Sequence, residues 1–245
     1  MKAVGETWRG GRAILRWLVN SPILTLRAII AAKDKEEARA ILAKSFERLL
    51  KACRINYVVT GTPPERGRGC VVCYNETSFA DVFAFPSTVL PHVDRAAAAD
   101  LYAWIPFGRR ACNKLGIELV SRGKRKGTNR LISRIVAALE NGERIAWGGE
   151  GRLSGRDEVK RFKRGAALIA IRANVPIVPV AFYGGHQALP LGSIRARPGT
   201  IHVHFGDPID PSEYHEDDVR DLADHLQTVV AQMYAELKAK ANASS

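Results

Sequence analysis

Two acidic residues, Glu76 and Asp81, stand five positions apart in the stretch NETSFAD, residues 75–81, directly after the apolar run GCVVCY. A strand should give way to a helix there, and strand ends are where α/β sheets usually build their sites. As a catalytic pair, one carboxylate would take a proton from a substrate while the other sets its proton affinity. As a cap, Ser78 and Asp81 spell the S-x-x-D pattern of a capping box, with Asp81 turned back toward the helix start. The two roles of Asp81 are compatible, and the residues by themselves leave both open. Three further stretches set reactive side chains at expected strand ends or loops. In GIELVSRGKRKG, residues 116–127, Arg122 ends an apolar strand and opens a basic cluster with Lys124, Arg125 and Lys126. In WGGEGRLSG, residues 147–155, Gly149, Glu150, Gly151 and Arg152 join a backbone that an anion can approach closely to a guanidinium fork suited to phosphate or carboxylate. The fourth, VPIVPVAF at residues 175–182, is an apolar strand. Neither glycine-rich stretch carries the lysine-serine ending of a Walker loop.

These stretches need elements to hold them. Strands are expected at residues 54–61, 69–74, 116–120, 144–147, 176–182 and 200–206, interleaved with helices. An amphipathic helix over residues 33–53 repeats Ala38, Ile41, Leu42, Phe46, Leu49 and Cys53 at helical spacing. Another spans residues 128–140, capped by Thr128 and stopped by Asn141-Gly142. A closing helix carries Val219, Leu222, Leu226, Val230, Met233 and Leu237. This alternation predicts an α/β fold: a mainly parallel or mixed central sheet flanked by helices, with an N-terminal helical hairpin and a C-terminal amphipathic helix. We divide the chain into an N-terminal helical segment, 1–53, and an α/β domain, 54–245.

The N-terminal segment has its own character. Residues 8–19 place Arg9, Arg12 and Arg16 on one narrow helical face, with Trp8, Ile14, Leu15, Trp17 and Leu18 around the rest. Ser21-Pro22 then reads as the N-cap and first residue of a second apolar helix that carries Arg27. An apolar helix pair edged with arginine and bearing tryptophans suits an anionic membrane surface; a hairpin docked on the domain's own core is the plainer reading.

Residues 1–205 carry 34 basic and 16 acidic residues, a charge of +18, while residues 206–245 carry −6. A body so basic points to a partner bearing phosphate. No helix-turn-helix, zinc-finger or aromatic ribonucleoprotein motif is present, so nucleic acid is not the expected partner. Cys70 and Cys73 spell C-x-x-C, but strand residues three apart point to opposite faces and cannot chelate one metal. Four cysteines in 245 residues fit a reducing compartment. Arginines interrupt the N-terminal apolar stretch and no small-residue cleavage site follows, so a cytoplasmic protein, peripheral on the inner face of the membrane, is expected. The uncharged run at 173–194 contains Pro176, Pro179, Pro190 and Gly184-Gly185, which argues against a spanning helix.

In this order and at these separations, the four stretches resemble the glycerol-phosphate and lysophosphatidate acyltransferase superfamily over residues 58–211. Its first motif, N-H-x-x-x-x-D, aligns with NETSFAD. The second, an apolar strand ending in arginine, aligns with GIELVSR. The third, F-P-E-G-T-R-S, aligns with GGEGRLS, and the fourth, of V-P-I-V-P-V type, is present unaltered at 175–180. The resemblance implies transfer of a fatty acyl group from acyl-CoA or acyl carrier protein to a hydroxyl of a lysophospholipid-like acceptor, with no metal or bound cofactor. It implies Glu76 as base, Asp81 as its partner, and Arg122 with Gly149, Glu150, Gly151 and Arg152 as contacts to the acceptor's anion. A lipid-binding or partner-binding relative without turnover is the alternative. The departures are specific: the family's first-motif histidine is Glu76, its third-motif proline is Gly149, and its arginine stands one place early, at Arg152. A free glutamate, with a pKa of about 4.3 against about 6.5 for histidine, is the poorer base. A second carboxylate nearby would raise it and an arginine would lower it. His92 and His186 are the next candidates for a base.

Overall fold

The computed structural model describes residues 2–20, 22–120 and 125–243. Three helices come first: α1 (Lys2–Asn20), α2 (Pro22–Ala31) and α3 (Lys35–Ala52). The chain then runs β1 (Ile55–Gly61), β2 (Cys70–Tyr74), α4 (Phe79–Thr88), β3 (Arg95–Ala99), α5 (Gly108–Leu115) and β4 (Ile117–Val120). It continues with α6 (Arg125–Glu140), β5 (Arg144–Gly148), α7 (Gly165–Ala173), β6 (Ile177–Tyr183), α8 (Gly185–Ala188) and β7 (Gly199–Phe205) before the closing helix α9 (Val219–Ala243).

The seven strands make one mixed sheet in the order β1-β7-β6-β2-β5-β3-β4. Strands β6, β2, β5, β3 and β4 run parallel, β7 is antiparallel to β6, and β1 is parallel to β7. Five strands therefore end on the same edge of the sheet, the edge at which a mostly parallel sheet places its ligands. One face packs on α6, α7 and α9 through Ile135, Leu139, Ile169, Leu222, Leu226 and Val230. The other packs on α3 and α4 through Leu49, Leu50, Cys53, Ala80 and Ala84. Because β2 is covered on both sides it is buried throughout, and Cys70 and Cys73 enter opposite cores, as strand alternation requires. All six apolar positions expected to face inward from α9 are buried.

Some elements differ from the sequence expectation. β3 is a run of one arginine and four alanines, with little of the branched or aromatic content that marks a strand; it exists because its backbone pairs with β4 and β5. Helix α6 starts at Arg125, so Thr128 lies inside it rather than at its start, while the stop holds, Gly142 lying in the left-handed region at φ 81°. α3 is capped by Asp34, whose side chain accepts from Glu37 N–H, and it shares a core with the sheet although it lies before residue 54. α1 and α2 pack on α3, and Ile29 of α2 joins Ala38, Ala111 and Leu115 in a small core of its own. No helix among the described residues is long and apolar enough to cross a membrane.

Candidate active site

The site begins with strand register. β2 and β5 pair so that Tyr74 faces Gly148 across the ladder, which brings both chains out of the sheet side by side. Asn75 anchors the exit of β2: its Nδ2 donates to Phe182 O (3.0 Å) and its Oδ1 accepts from Phe182 N–H (2.8 Å) on β6. The two exits are then stitched together. Gly149 N–H donates to Tyr74 O (2.8 Å), Ser154 N–H to Glu76 O (2.8 Å), and Gly155 N–H to Thr77 O (3.1 Å). Stretches 75–81 and 148–155, far apart in sequence, form one piece of backbone. Gly149 permits it, since a Cβ there would lie 2.5 Å from the Phe162 ring.

Asp81 does what a capping residue does. Ser78, the N-cap of α4, accepts from Asp81 N–H at 3.3 Å, and Asp81 Oδ2 accepts from Ser78 N–H (2.9 Å), Thr77 N–H (3.0 Å) and Thr77 Oγ1–H (2.6 Å). Each such cap is worth about 1 kcal/mol. Burial pushes the Asp81 carboxyl above its ordinary range, and the hydrogen bonds from Thr77 and Ser78 pull it partly back. Its Oδ1 is buried, finds no hydrogen-bond partner among the described residues, and lies 1.9 Å from where a Cβ on Gly185 would be. Only glycine at the start of α8 lets that helix close on the cap.

The carboxyl shaped by Glu76 is that of Glu150. Glu76 N–H donates to Glu150 Oε1 at 3.2 Å, and the Glu76 carboxylate lies against Gly148, where a Cβ would stand 2.4 Å from its Oε2. Glu150 is 4% exposed, and its Oε2 is buried with no partner among the described residues. Burial above all pushes its carboxyl up, to about 8; the negative charge of Glu76 adds to this, while the Glu76 amide and Lys160 oppose it. At neutral pH Glu150 is mainly the neutral acid, with Oε1 occupied as an acceptor and a proton to offer from Oε2. A carboxyl that keeps its proton at neutral pH can donate it to a substrate bound at this strand end. Tyr102 follows the C-terminal end of β3 on the same edge of the sheet, a third exposed overall, its phenol pushed up by partial burial and then by the charge of Glu76.

Glu76, Asp81, Gly149, Glu150, Gly151 and Arg152 are thus all found beyond the C-terminal ends of β2 and β5. Gly151 takes φ 70° in the turn, and Arg152 is exposed. Arg122 lies outside the described residues. Of the two alternative bases, His92 precedes β3 at the opposite edge of the sheet, edge-on to Phe205. His186 lies on α8, just past the end of β6 and on the same edge as Glu76, with Nδ1 buried and lacking a partner among the described residues. Sequence reasoning missed Gly185, Tyr102 and Asp157. Asp157 accepts from Gln187 Nε2 (2.6 Å), Tyr234 Oη (2.5 Å) and Lys238 Nζ (2.6 Å), tying the loop after β5 to α8 and α9. Tyr102 and Asp157 sit in no recognisable local pattern; Gly185 gave a signal only as half of the glycine pair at 184–185. Among the described residues no group of three or more His, Cys, Asp or Glu side chains is placed to hold a metal ion.

Comparison with known proteins converges on one family. Residues 54–183 match the family described as Acyltransferase. The chain is 31% identical to the 1-acyl-sn-glycerol-3-phosphate acyltransferase of Haemophilus influenzae over 216 residues, 87% of this chain and 88% of that protein. It is 33% identical to the Escherichia coli protein of the same name over 135 residues, so it spans only 54% of that relative's length. Its fold is similar to the crystal structure of the 1-acyl-sn-glycerophosphate acyltransferase from Thermotoga maritima, with a TM-score of 0.72 and 22% identity over 97% of both chains.

Proposed function

We propose, for a chain that belongs to the acyltransferase family, that it moves a fatty acyl group from a thioester to the hydroxyl of a lysophospholipid-like acceptor. The thioester is that of coenzyme A or of acyl carrier protein, and the acceptor class is that of the 1-acylglycerol-3-phosphate for which the relatives are named. The observation that carries this is the meeting of Glu76 and Glu150 beyond two adjacent parallel strands, where the Glu76 backbone N–H donates to the buried Glu150 carboxyl at 3.2 Å. Glu76, as carboxylate, takes the proton of the acceptor hydroxyl as its oxygen adds to the thioester carbonyl carbon. The tetrahedral intermediate collapses with cleavage of the C–S bond, and the proton passes from Glu76 to the departing thiolate. Glu150, held neutral, donates from Oε2 into the same space and keeps the pair from carrying two charges. Asp81 acts as a positioning residue, holding residues 77 and 78 and with them the backbone that carries Glu76. Arg122, Arg152 and the backbone of Gly149 and Gly151 contact the acceptor's phosphate.

The lipid substrate places the chain at a membrane. Exposed Trp8, Leu15, Ile23 and Leu24 on α1 and α2, with Arg12 stacked 4.5 Å from the Trp8 ring centre and Arg27 exposed, support an anionic bilayer as the surface it works on. The side chains of Arg9 and Arg16 lie outside the described residues.

The test is acyl transfer from labelled acyl-CoA and acyl carrier protein to lysophosphatidate. Glu76→Gln should lower turnover by about 100-fold or more, the usual scale of general-base assistance. A fully active Glu76→Gln variant would move the base elsewhere, and His186 would be next. A non-catalytic lipid-binding protein is the second reading, favoured by the full commitment of Asp81 Oδ2 to the helix cap. In that case neither donor yields product, and Glu76→Gln leaves lipid binding intact.

A further inference from the structure

Between β3 and α5 the chain turns through LYAWIPF, residues 101–107. Trp104 is 89% exposed and Leu101 55%, and Tyr102, Ile105 and Phe107 are exposed beside them. Single exposed apolar side chains are ordinary, but five within seven consecutive residues make a patch. The turn is also built to a fixed shape. Ile105 N–H donates to Tyr102 O (3.3 Å) and Gly108 N–H to Ile105 O (2.8 Å). A Cβ on Gly108 would lie 2.0 Å from Tyr102 O, and Phe107 is held at φ 65°, which a bulky residue rarely adopts. Strain of this kind, spent on displaying apolar side chains outward, gains the isolated chain nothing.

What surrounds the patch identifies its occupant. Exposed Arg109 and Arg110 follow it on the first turn of α5. α5 packs in turn on α2, which exposes Ile23, Leu24 and Arg27. Tryptophan beside arginine, on a body carrying +18 over residues 1–205, complements the headgroup layer of an anionic bilayer. A second copy of the chain would set the same arginines against each other. The patch lies by the site because it follows the C-terminal end of β3, which runs parallel to β5 and so ends on the same edge of the sheet as β2 and β5, beyond which Glu76 and Glu150 stand.

We propose that residues 101–107 are a second lipid-inserting element, separate from α1 and α2, which seats the mouth of the Glu76 and Glu150 centre on an anionic membrane. The acceptor then enters from the plane of the bilayer without crossing water. This rests on the lipid-acceptor reading for its purpose, but its test does not.

The experiment uses the full chain with phosphatidylglycerol-containing vesicles, phosphatidylcholine vesicles and brominated lipid. Wild-type tryptophan emission should be quenched by the brominated lipid, with a distinct part of the quenching absent in Trp104→Phe. The double variant Leu101→Asp/Trp104→Asp should bind anionic vesicles about tenfold more weakly at an unchanged melting temperature, since both side chains are exposed. It should also keep turnover on short-chain, water-soluble substrates within about twofold, as neither residue belongs to the catalytic machinery. Loop-dependent vesicle binding with no acyl transfer would sink the enzyme reading and leave this one standing. Equal vesicle binding by the double variant and the wild type overturns it. So does equal binding to neutral and anionic vesicles, and so does a dimer in light scattering that the double variant dissolves without any change in vesicle binding.

Discussion

Glu150→Gln measures the proton that the site depends on. The Glu150 carboxyl holds its proton to about pH 8 in the folded chain, against an ordinary value of 4.5. Between those values the folded state binds more protons than the unfolded one, so stability falls as pH rises through the window. Integrating the two titrations from about pH 5 to about pH 7 gives a loss on the order of 2.5 kcal/mol from this one group. Glutamine keeps the shape and the Oε1 that accepts from Glu76 N–H, but has no charge to acquire. Urea midpoints of both proteins at steps across that window should therefore diverge, the wild type weakening relative to the variant by roughly 2 kcal/mol or more. Other titrating groups act on both proteins alike and cancel in the difference. Parallel curves would show that Glu150 ionises at its ordinary pH, and the account of a neutral acid beside Glu76 would fail.

Gly185→Ala should be strongly destabilising, by about 2 kcal/mol or more, because its methyl would fall 1.9 Å from Asp81 Oδ1 and 2.6 Å from Ser78 Oγ; a variant with the wild-type melting temperature would show that α8 does not close on the cap. Arg39→Ala should cost about 3 kcal/mol in chemical denaturation, since one guanidinium serves the carbonyls of Leu90, Val93, Asp94 and Leu115 at 2.6 to 3.0 Å and leaves them stranded when removed. Arg152→Ala, and likewise Arg122→Ala, should raise the KM for a phosphorylated acceptor far more than that for the thioester, with lysine rescuing only in part; an acceptor without phosphate, used equally well, would contradict the assignment.

The strands β2 and β6 could be read from residue order, because branched and apolar side chains in short runs bounded by turn residues have few other stable states. α9 could be read for the same kind of reason, its helical period surviving the acidic residues around it. So could the cap at Ser78 and Asp81, whose partners lie within four residues of each other and need only a helix start to meet. β3 could not, since four alanines carry no strand preference and acquire one only from neighbours on both sides. Nor could the carboxyl that meets the Glu76 amide. Asp81 lay nearer along the chain and in the same motif, yet its carboxyl is turned to Thr77 and Ser78. Glu150 lies 74 residues away and meets Glu76 because Tyr74 and Gly148 pair across parallel strands, so that two steps beyond each strand end the chains lie side by side. Local order specifies what a short segment can do alone; a carboxyl from one strand end that accepts from the amide of another, and the raised proton affinity that follows from its burial, exist only once the sheet has set those strands in register.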